Sequence, residues 1–532
     1  MQKKFLYIIV ALTATLASCS DWLNLKPYDG VVEDEYWKTK EEVYSMVVGC
    51  YSSLLNKNLV TNMFYWGEIR ADMVTGSTAA GSSAMNIIRG EISPENGICK
   101  WDEFYTTINQ CNKVIERSSL VREIDLTFSD DLYYQYRAEV ITIRSLMYFY
   151  LVRSFKNVPL VLKASDSDDQ DYYPYNSEDT EILDSLVTQL NGVLAHLPIS
   201  YGSNDKNKGR ITRWTAMTLL ADIYLWQGNY SACDALCTQI IGSGQFSLIP
   251  VNREPVPVYD NLTNEVVDTV YHPNMGDAAL WFDRVYVTGN SVESIFELQF
   301  PKTHETLADP FFALFNSNSS RPAIIPNALV LDGVIFPEYE GEDGDVQDIR
   351  SFTYQGSYIW KYTGNALSGG SLRSERTFPH WIVYRLSDVI LMKAEALNQM
   401  AQTTQDADMM EQSYALVKQI RSRANAIENS DGELDTPIDG KALEQLILAE
   451  RARELAFEGK RWYDVLRFAK RNDYEGENLT YLMQLAVNSA PPEKLASLQV
   501  KYGNKWFHYW PIYISAVEIN KNLKQNEFYQ QY

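Results

Sequence analysis

Apolar residues recur at helical spacing along most of this chain. Between residues 41 and 55 the positions Val43, Met46, Val47, Cys50 and Leu54 fall on one face of a 3.6-residue period. Residues 131–155 repeat the pattern through Ala138, Ile141, Leu146, Phe149 and Val152, and Pro159 closes it. Residues 105–117, 180–197 and 212–242 are expected to form further helices. Two stretches break the period. Residues 60–100 read as an irregular segment with a Gly/Ser-rich loop at 75–83, and residues 245–380 mix Pro, Gly, Asn and β-branched side chains. Inside the second stretch, residues 294–300 and 358–362 have the texture of short strands.

Two helical regions share a residue pattern. Ala221, Tyr224, Gly228, Tyr230 and Ala235 put small residues where antiparallel helices approach and tyrosines where the gap needs filling. Leu391, Ala394, Ala396 and Leu397, then Ala415, Val417, Ile420 and Ala424, repeat it. Both resemble tetratricopeptide units, which cannot bury their apolar faces alone and must stack. The fold class that follows is mainly α: a tetratricopeptide-like helical repeat scaffold with a large irregular insertion, about residues 245–380, containing short β-strands. Insertions of this kind usually build the binding face.

At the N-terminus Lys3 and Lys4 precede an apolar run over residues 5–16, too short to span a bilayer, and then Leu16, Ala17, Ser18 and Cys19. Small residues before a cysteine resemble a bacterial lipobox. On that reading residues 1–18 are a lipoprotein signal peptide, Cys19 carries the lipid, residues 19–40 are a tether punctuated by Pro27 and Gly30, and residues 41–532 form the domain. Acyl chains anchor such a chain to a membrane, each buried CH₂ contributing about 0.8 kcal/mol. No later segment reaches the roughly 18 consecutive apolar residues that crossing a bilayer requires. Composition then narrows the partners. With 47 Lys+Arg against 69 Asp+Glu the net charge is −22, a surface that repels phosphate backbones and argues against nucleic acid. Cys233 and Cys237 sit four apart on an expected helix with no His beside them, and they read as small buried side chains rather than a zinc site. Aromatic residues, at 13%, are the compositional excess. They either fill a core or stack on a ligand.

The most distinctive segment, residues 443–467, reads LEQLILAERARELAFEGKRWYDVLR. Glu450, Glu454 and Glu458 step along one expected helix face, a repulsive spacing unless cations interleave, and Arg451, Arg453 and Arg461 are placed to supply them. Gly459 is placed as the helix stop. Paired acids invite a general acid–base reading, but a carboxyl locked by guanidinium is pushed down in pKa and makes a poor proton donor. The segment resembles the ERxRELxFEGxRWxD motif of the SusD/RagB family, surface lipoproteins of Bacteroidota. The resemblance extends to Trp22, Leu23 and Leu25 beside Cys19, to Glu139, Arg144, Tyr148, Arg153, Gly209 and Arg210, to Asp348 and Arg350, and to Trp510 through Asn526. Tyr513, Lys521, Glu527 and Phe528 depart from the family's terminal pattern. The resemblance implies a non-enzymatic, cofactor-free cell-surface protein of the outer membrane. It would sit on a SusC-like TonB-dependent barrel, capture oligosaccharides and deliver them for import. The alternatives are a RagB-like peptide-binding lipoprotein and a helical-scaffold glycoside hydrolase.

A sugar ring presents an apolar C–H face and a rim of hydroxyls, so its site wants a solvent-reachable Trp or Tyr flanked by Asp, Asn or Arg. Trp462 and Trp510 lie in family motifs, Trp37, Trp214 and Trp226 on amphipathic helices, Trp101 at a helix start, and Trp360 in an expected strand that reads as core. Two clusters remain as ligand-contact candidates: Trp66 with Arg70, Asp72, Asn86 and Arg89, and Trp281 with Asp283, Arg284 and Tyr286. In the competing reading their polar groups cap loops and the indoles pack underneath. Two acidic runs, residues 166–171 and 342–348, offer hard oxygen ligands. They lack the glycine and terminal glutamate of an EF-hand, and read as solvated surface rather than a metal site.

Overall fold

The computed structural model describes residues 36–165, 172–260, 262–300, 314–315, 322–336, 348–365, 372, 380–426, 434, 437–488 and 492–530. Helix α1 (Lys40–Ser53) opens on a capping box, with the Glu42 N–H donating to Thr39 Oγ1 at 3.3 Å and the Thr39 N–H donating to the Glu42 carboxylate at 2.8 Å. The stretch expected to be irregular from residue 60 is helical at its start. Asn56 caps α2 (Lys57–Glu68), and Leu59, Val60, Met63, Phe64 and Trp66 all face inward. Strand β1 (Val74–Gly76) and helix α3 (Ser82–Ile88) follow. Then α4 (Asp102–Ile124), α5 (Asp130–Phe155), α6 (Asp179–Val193), α7 (Arg213–Gln227) and α8 (Tyr230–Gly242) pack in succession, each on the one before it.

The insertion begins with a hairpin, β2 (Arg253–Tyr259) and β3 (Val266–Pro273), and continues through α9 (Met275–Phe282), β4 (Ser294–Leu298) and β5 (Ile324–Pro326). It closes when β6 (Trp381–Arg385) pairs antiparallel with β4, Phe296 opposite Tyr384 and Leu298 opposite Trp381. β6 runs directly into α10 (Leu386–Thr404), which packs on α8 and on α11 (Ala407–Arg423). The two repeat-like helix pairs, far apart in sequence, are therefore neighbours in space, as their apolar faces require. The expected strand at 358–362 is instead a tight turn. Gln355 and Tyr358 exchange backbone hydrogen bonds of 2.9 and 3.0 Å, and Trp360–Thr363 is one helical turn. The cysteines at 50, 99, 111, 233 and 237 are buried free thiols, with the sulfurs of Cys233 and Cys237 4.0 Å apart. Cys19, most of the tether and the acidic runs at 166–171 and 342–347 lie outside the described residues.

Helix α12 (Gly440–Glu454) packs on α10 and precedes α13 (Arg461–Arg471). It stops at Glu454, so Glu458 lies in the following turn rather than on the same helix face. The three carboxylates still converge, but their cations come chiefly from other elements. Arg350 and Arg421 reach Glu450 at 2.5 and 3.1 Å, and Arg385 holds both Glu454 at 2.6 Å and Glu458 at 3.0 Å. Arg423 adds a second guanidinium on Glu454, and Lys361 donates to Glu458 at 2.8 Å. Of the arginines expected to interleave, Arg453 alone approaches Glu450, at 3.8 Å. Arg451 pairs with Asp388 and Asp464, and Arg461 with Asp72. Burial by itself would raise these carboxyls, yet the surrounding cations more than offset it and hold Glu450, Glu454 and Glu458 below the usual range. Gly459, at φ +68°, lets the turn lie directly on α2: a Cβ on Gly67 would sit 1.7 Å from the Gly459 carbonyl oxygen.

Candidate functional site

Neither indole chosen from the sequence reaches solvent. Trp66 is 0% exposed, donates its Nε1–H to the Ile98 carbonyl at 2.8 Å and stacks on Phe104 with ring centroids 4.5 Å apart. Arg70, also buried, donates to the carbonyls of His508 and Phe507 at 2.8 and 2.5 Å. Its guanidinium lies over the rings of Trp462 and Trp510, 4.5 and 5.4 Å from their centroids. Asp72 takes a bidentate pair from Arg461 at 2.8 and 3.0 Å. This cluster is the joint between α2 and the C-terminal third of the chain. Asn86 and Arg89, half-buried and exposed, lie on and just after α3, apart from the joint's core. Trp281 is likewise 0% exposed, with Tyr286 edge-on at 5.5 Å and the Arg423 guanidinium 5.1 Å from its centroid. Asp283 is half-buried and Arg284 exposed on the turn that follows α9. The competing reading, rings packed beneath polar groups, is the one the structure shows for both tryptophans.

The Trp281 cluster also packs against the residues that line a shallow hollow. β1 pairs antiparallel with β5, Thr75 opposite Ile325, which brings the N-terminal Gly/Ser loop onto the insertion. Ser77 extends the contact, its N–H donating to the Ala323 carbonyl at 2.9 Å and its hydroxyl to the Pro322 carbonyl at 2.5 Å. Beyond Pro322 opens a space of about 590 Å³ lined by Gln355, Ser357, Tyr358, Trp360 and Leu372. Gly356, at φ +53°, permits the turn that projects Gln355 and Ser357 into solvent. Tyr358 is half-buried and Trp360 buried, both packed on the cluster of Trp281, Phe282, Val285 and Tyr286. The turn below is fastened to the carboxylate network: Lys361 donates to Glu458 and to the Ala456 carbonyl at 2.7 Å, and the Tyr362 hydroxyl donates to the Phe457 carbonyl at 2.9 Å.

The sequence does not point to this hollow, because Gln355 through Trp360 lack any period; Trp360 is core, as its reading expects, but in a helical turn rather than a strand. The signal available was a glycine turn flanked by Tyr and Trp inside the insertion. The described lining is neutral throughout, and the Gln355 amide, the Ser357 hydroxyl and the Tyr358 phenol have no hydrogen-bond partner among the described residues. Such a surface can take an uncharged ligand with an apolar face and hydroxyl rim. Among the described residues, Glu450, Glu454 and Glu458 beneath it are enclosed by cations, which hold them charged and make them poor proton donors. Among the described residues no group of three His, Cys, Asp or Glu is placed to hold a metal ion.

Comparison with known proteins bears on both halves of the chain. One family model, described as SusD family, matches residues 338–529, and another, described as starch-binding associating with outer membrane, matches residues 21–225. A SusD-like protein of Formosa agariphila is 24% identical over 540 residues, covering 98% of this chain and 97% of its own. The starch-binding protein SusD of Bacteroides thetaiotaomicron is 23% identical over 74% of this chain and 73% of its own. Among solved structures, a SusD superfamily protein of Bacteroides vulgatus superposes with a TM-score of 0.67 at 19% identity, covering 92% of this chain and 99% of that one. Surface glycan-binding protein A of Bacteroides thetaiotaomicron, solved with laminarihexaose, gives 0.63 at 19% identity over 92% and 100%. With a SusD-type model on each half, relatives along its full length and the same helical scaffold with its insertion, the chain belongs to the SusD/RagB family.

Proposed function

We propose that this protein captures oligosaccharides in the hollow at Tyr358 and Trp360 and passes them to a SusC-like TonB-dependent barrel, anchored at the outer membrane through Cys19. The observation that carries the reading is the open hollow with Tyr358 in its lining, neutral among the described residues and set where the N-terminal loop meets the insertion. A pyranose face stacks on the Tyr358 ring while Gln355 and Ser357 meet its hydroxyls. Asp283 and Arg284 lie on the segment that packs against Trp360–Thr363, and Asn86 and Arg89 on and just after the helix that packs on β1; on this reading they extend the site beyond its lining. The relatives named for starch or solved with laminarihexaose support a glycan as ligand. Capture is by equilibrium binding, without bond cleavage. The test is calorimetric titration of the purified chain with neutral oligosaccharides from glucan, xylan and mannan. One of them binds, and Tyr358→Ala weakens that binding about tenfold. Saturable binding of peptides alone, or release of shortened sugars during incubation, overturns the reading.

A further inference from the structure

A second cleft, sharing no residue with the hollow, lies where the segment after α5 meets the C-terminal segment. It encloses about 280 Å³, at the small end of ligand sites, between Tyr175, Trp506, Lys524 and Glu527 at its rim and Asn176 and Gln525 within. One exposed ring, Tyr175, stands at its rim, and two more precede it in the sequence. Tyr172, Tyr173 and Tyr175, three tyrosines in four residues, are 56%, 52% and 66% exposed.

The ledge is also held rigid. The side-chain amide of Asn520 donates to the Pro174 carbonyl at 2.8 Å and that of Asn522 to the Tyr173 carbonyl at 2.6 Å. Asn176 accepts from the Lys524 N–H at 3.0 Å and donates to the Asn157 carbonyl at 2.8 Å. On the other wall, Asn526 donates to the Trp506 carbonyl at 2.9 Å, and Gln525 both accepts from and donates to the Ile512 backbone at 2.8 and 2.7 Å. These clamps set the backbone carrying Tyr175 and Trp506. The Tyr175 phenol, the Trp506 indole N–H, the Lys524 ammonium and the Glu527 carboxylate have no partner among the described residues. Pre-paid backbone order lowers the entropic cost of binding.

From this juxtaposition of preordered rings and uncommitted polar groups we propose that the cleft is a second saccharide-binding site, specific for neutral sugar rings. Tyr175 and Trp506 supply stacking faces, and Lys524 and Glu527 hydrogen-bond ring hydroxyls. Glu178 and Glu527 repel uronic acids. The proposal rests on the reading of this protein as a glycan binder, and the experiment separates the two. The full chain is labelled with 5-fluorotryptophan, and the ¹⁹F signals of Trp506 and Trp360 are assigned by Trp506→Phe and Trp360→Phe. The probes are cellohexaose, laminarihexaose, maltohexaose, xylohexaose and mannohexaose, with oligogalacturonate as the charged comparison. The Trp506 signal shifts saturably with at least one neutral probe and not with oligogalacturonate. Tyr175→Ala, at an exposed position that leaves the fold intact, weakens that response about tenfold. If Trp360 responds and Trp506 does not, the cleft proposal falls and the hollow stands. If Trp506 alone responds, the hollow fails and the cleft stands. If neither responds to any probe, both fall.

Discussion

Trp66 with Arg70 and Asp72, and Trp360 with Gln355 and Tyr358, are alike in composition: an indole beside polar side chains next to an irregular stretch. Their fates are opposite. At the first, every wall comes from distant sequence. Phe507 and His508 supply carbonyls to Arg70, Arg461 supplies a guanidinium to Asp72, and Ile98 accepts from the indole. At the second, the backbone is satisfied by its own turn, and the side chains of Gln355, Ser357 and Tyr358 are left over. Aromatic and polar composition is thus common to a buried joint and an open surface hollow. What separates them is whether the fold itself completes the polar groups.

Substitutions can break or sharpen that comparison, and the largest effects belong to the buried side. Arg385→Ala leaves Glu454 and Glu458 short of a cation in a dry site, and denaturant unfolding should show a loss of about 3–5 kcal/mol. Asp72→Ala strands Arg461 and should cost about 3 kcal/mol while oligosaccharide affinity of the folded protein stays unchanged. A matching loss of affinity would make the joint part of the site. Between these walls burial pushes the Glu68 carboxyl up to about 8, from 4.5 in the unfolded chain. An acid raised in the folded state favours folding below its unfolded value and loses that contribution as pH rises through the folded one. Melting temperatures should show wild type falling relative to Glu68→Gln between pH 4.5 and about 8, and a constant difference there would contradict it. Trp66→Phe removes one buried hydrogen bond and should cost about 2 kcal/mol. Tyr358→Ala, on the open side, should change stability by less than about 1 kcal/mol.

Much of the scaffold was legible in the chain because helices announce themselves through period. The periodic stretches around Val43, Ile141, Ala221 and Leu391 are helices α1, α5, α7 and α10, and Ser294 begins a strand. The charged motif was legible as a set of locked carboxylates. Its partners were not, since spacing along one helix says nothing of Arg350, Arg385 or Arg423 arriving from elsewhere. Trp66 was misplaced for a related reason. The apolar face of α2 is short, and the Ile98 carbonyl and Phe104 ring that bury the indole come from residues beyond it. The hollow escaped notice because a turn such as Gln355 to Tyr358 carries no period, and its exposure is decided by tertiary placement alone.

On the proposed reading the ligand stacks at Tyr358 and not at Trp66. Calorimetric titration of wild type, Tyr358→Ala and Trp66→Phe with one binding oligosaccharide tests it most directly. Affinity should be about tenfold weaker for Tyr358→Ala and equal to wild type for Trp66→Phe. Unchanged binding by Tyr358→Ala, with the loss appearing in Trp66→Phe, would contradict it.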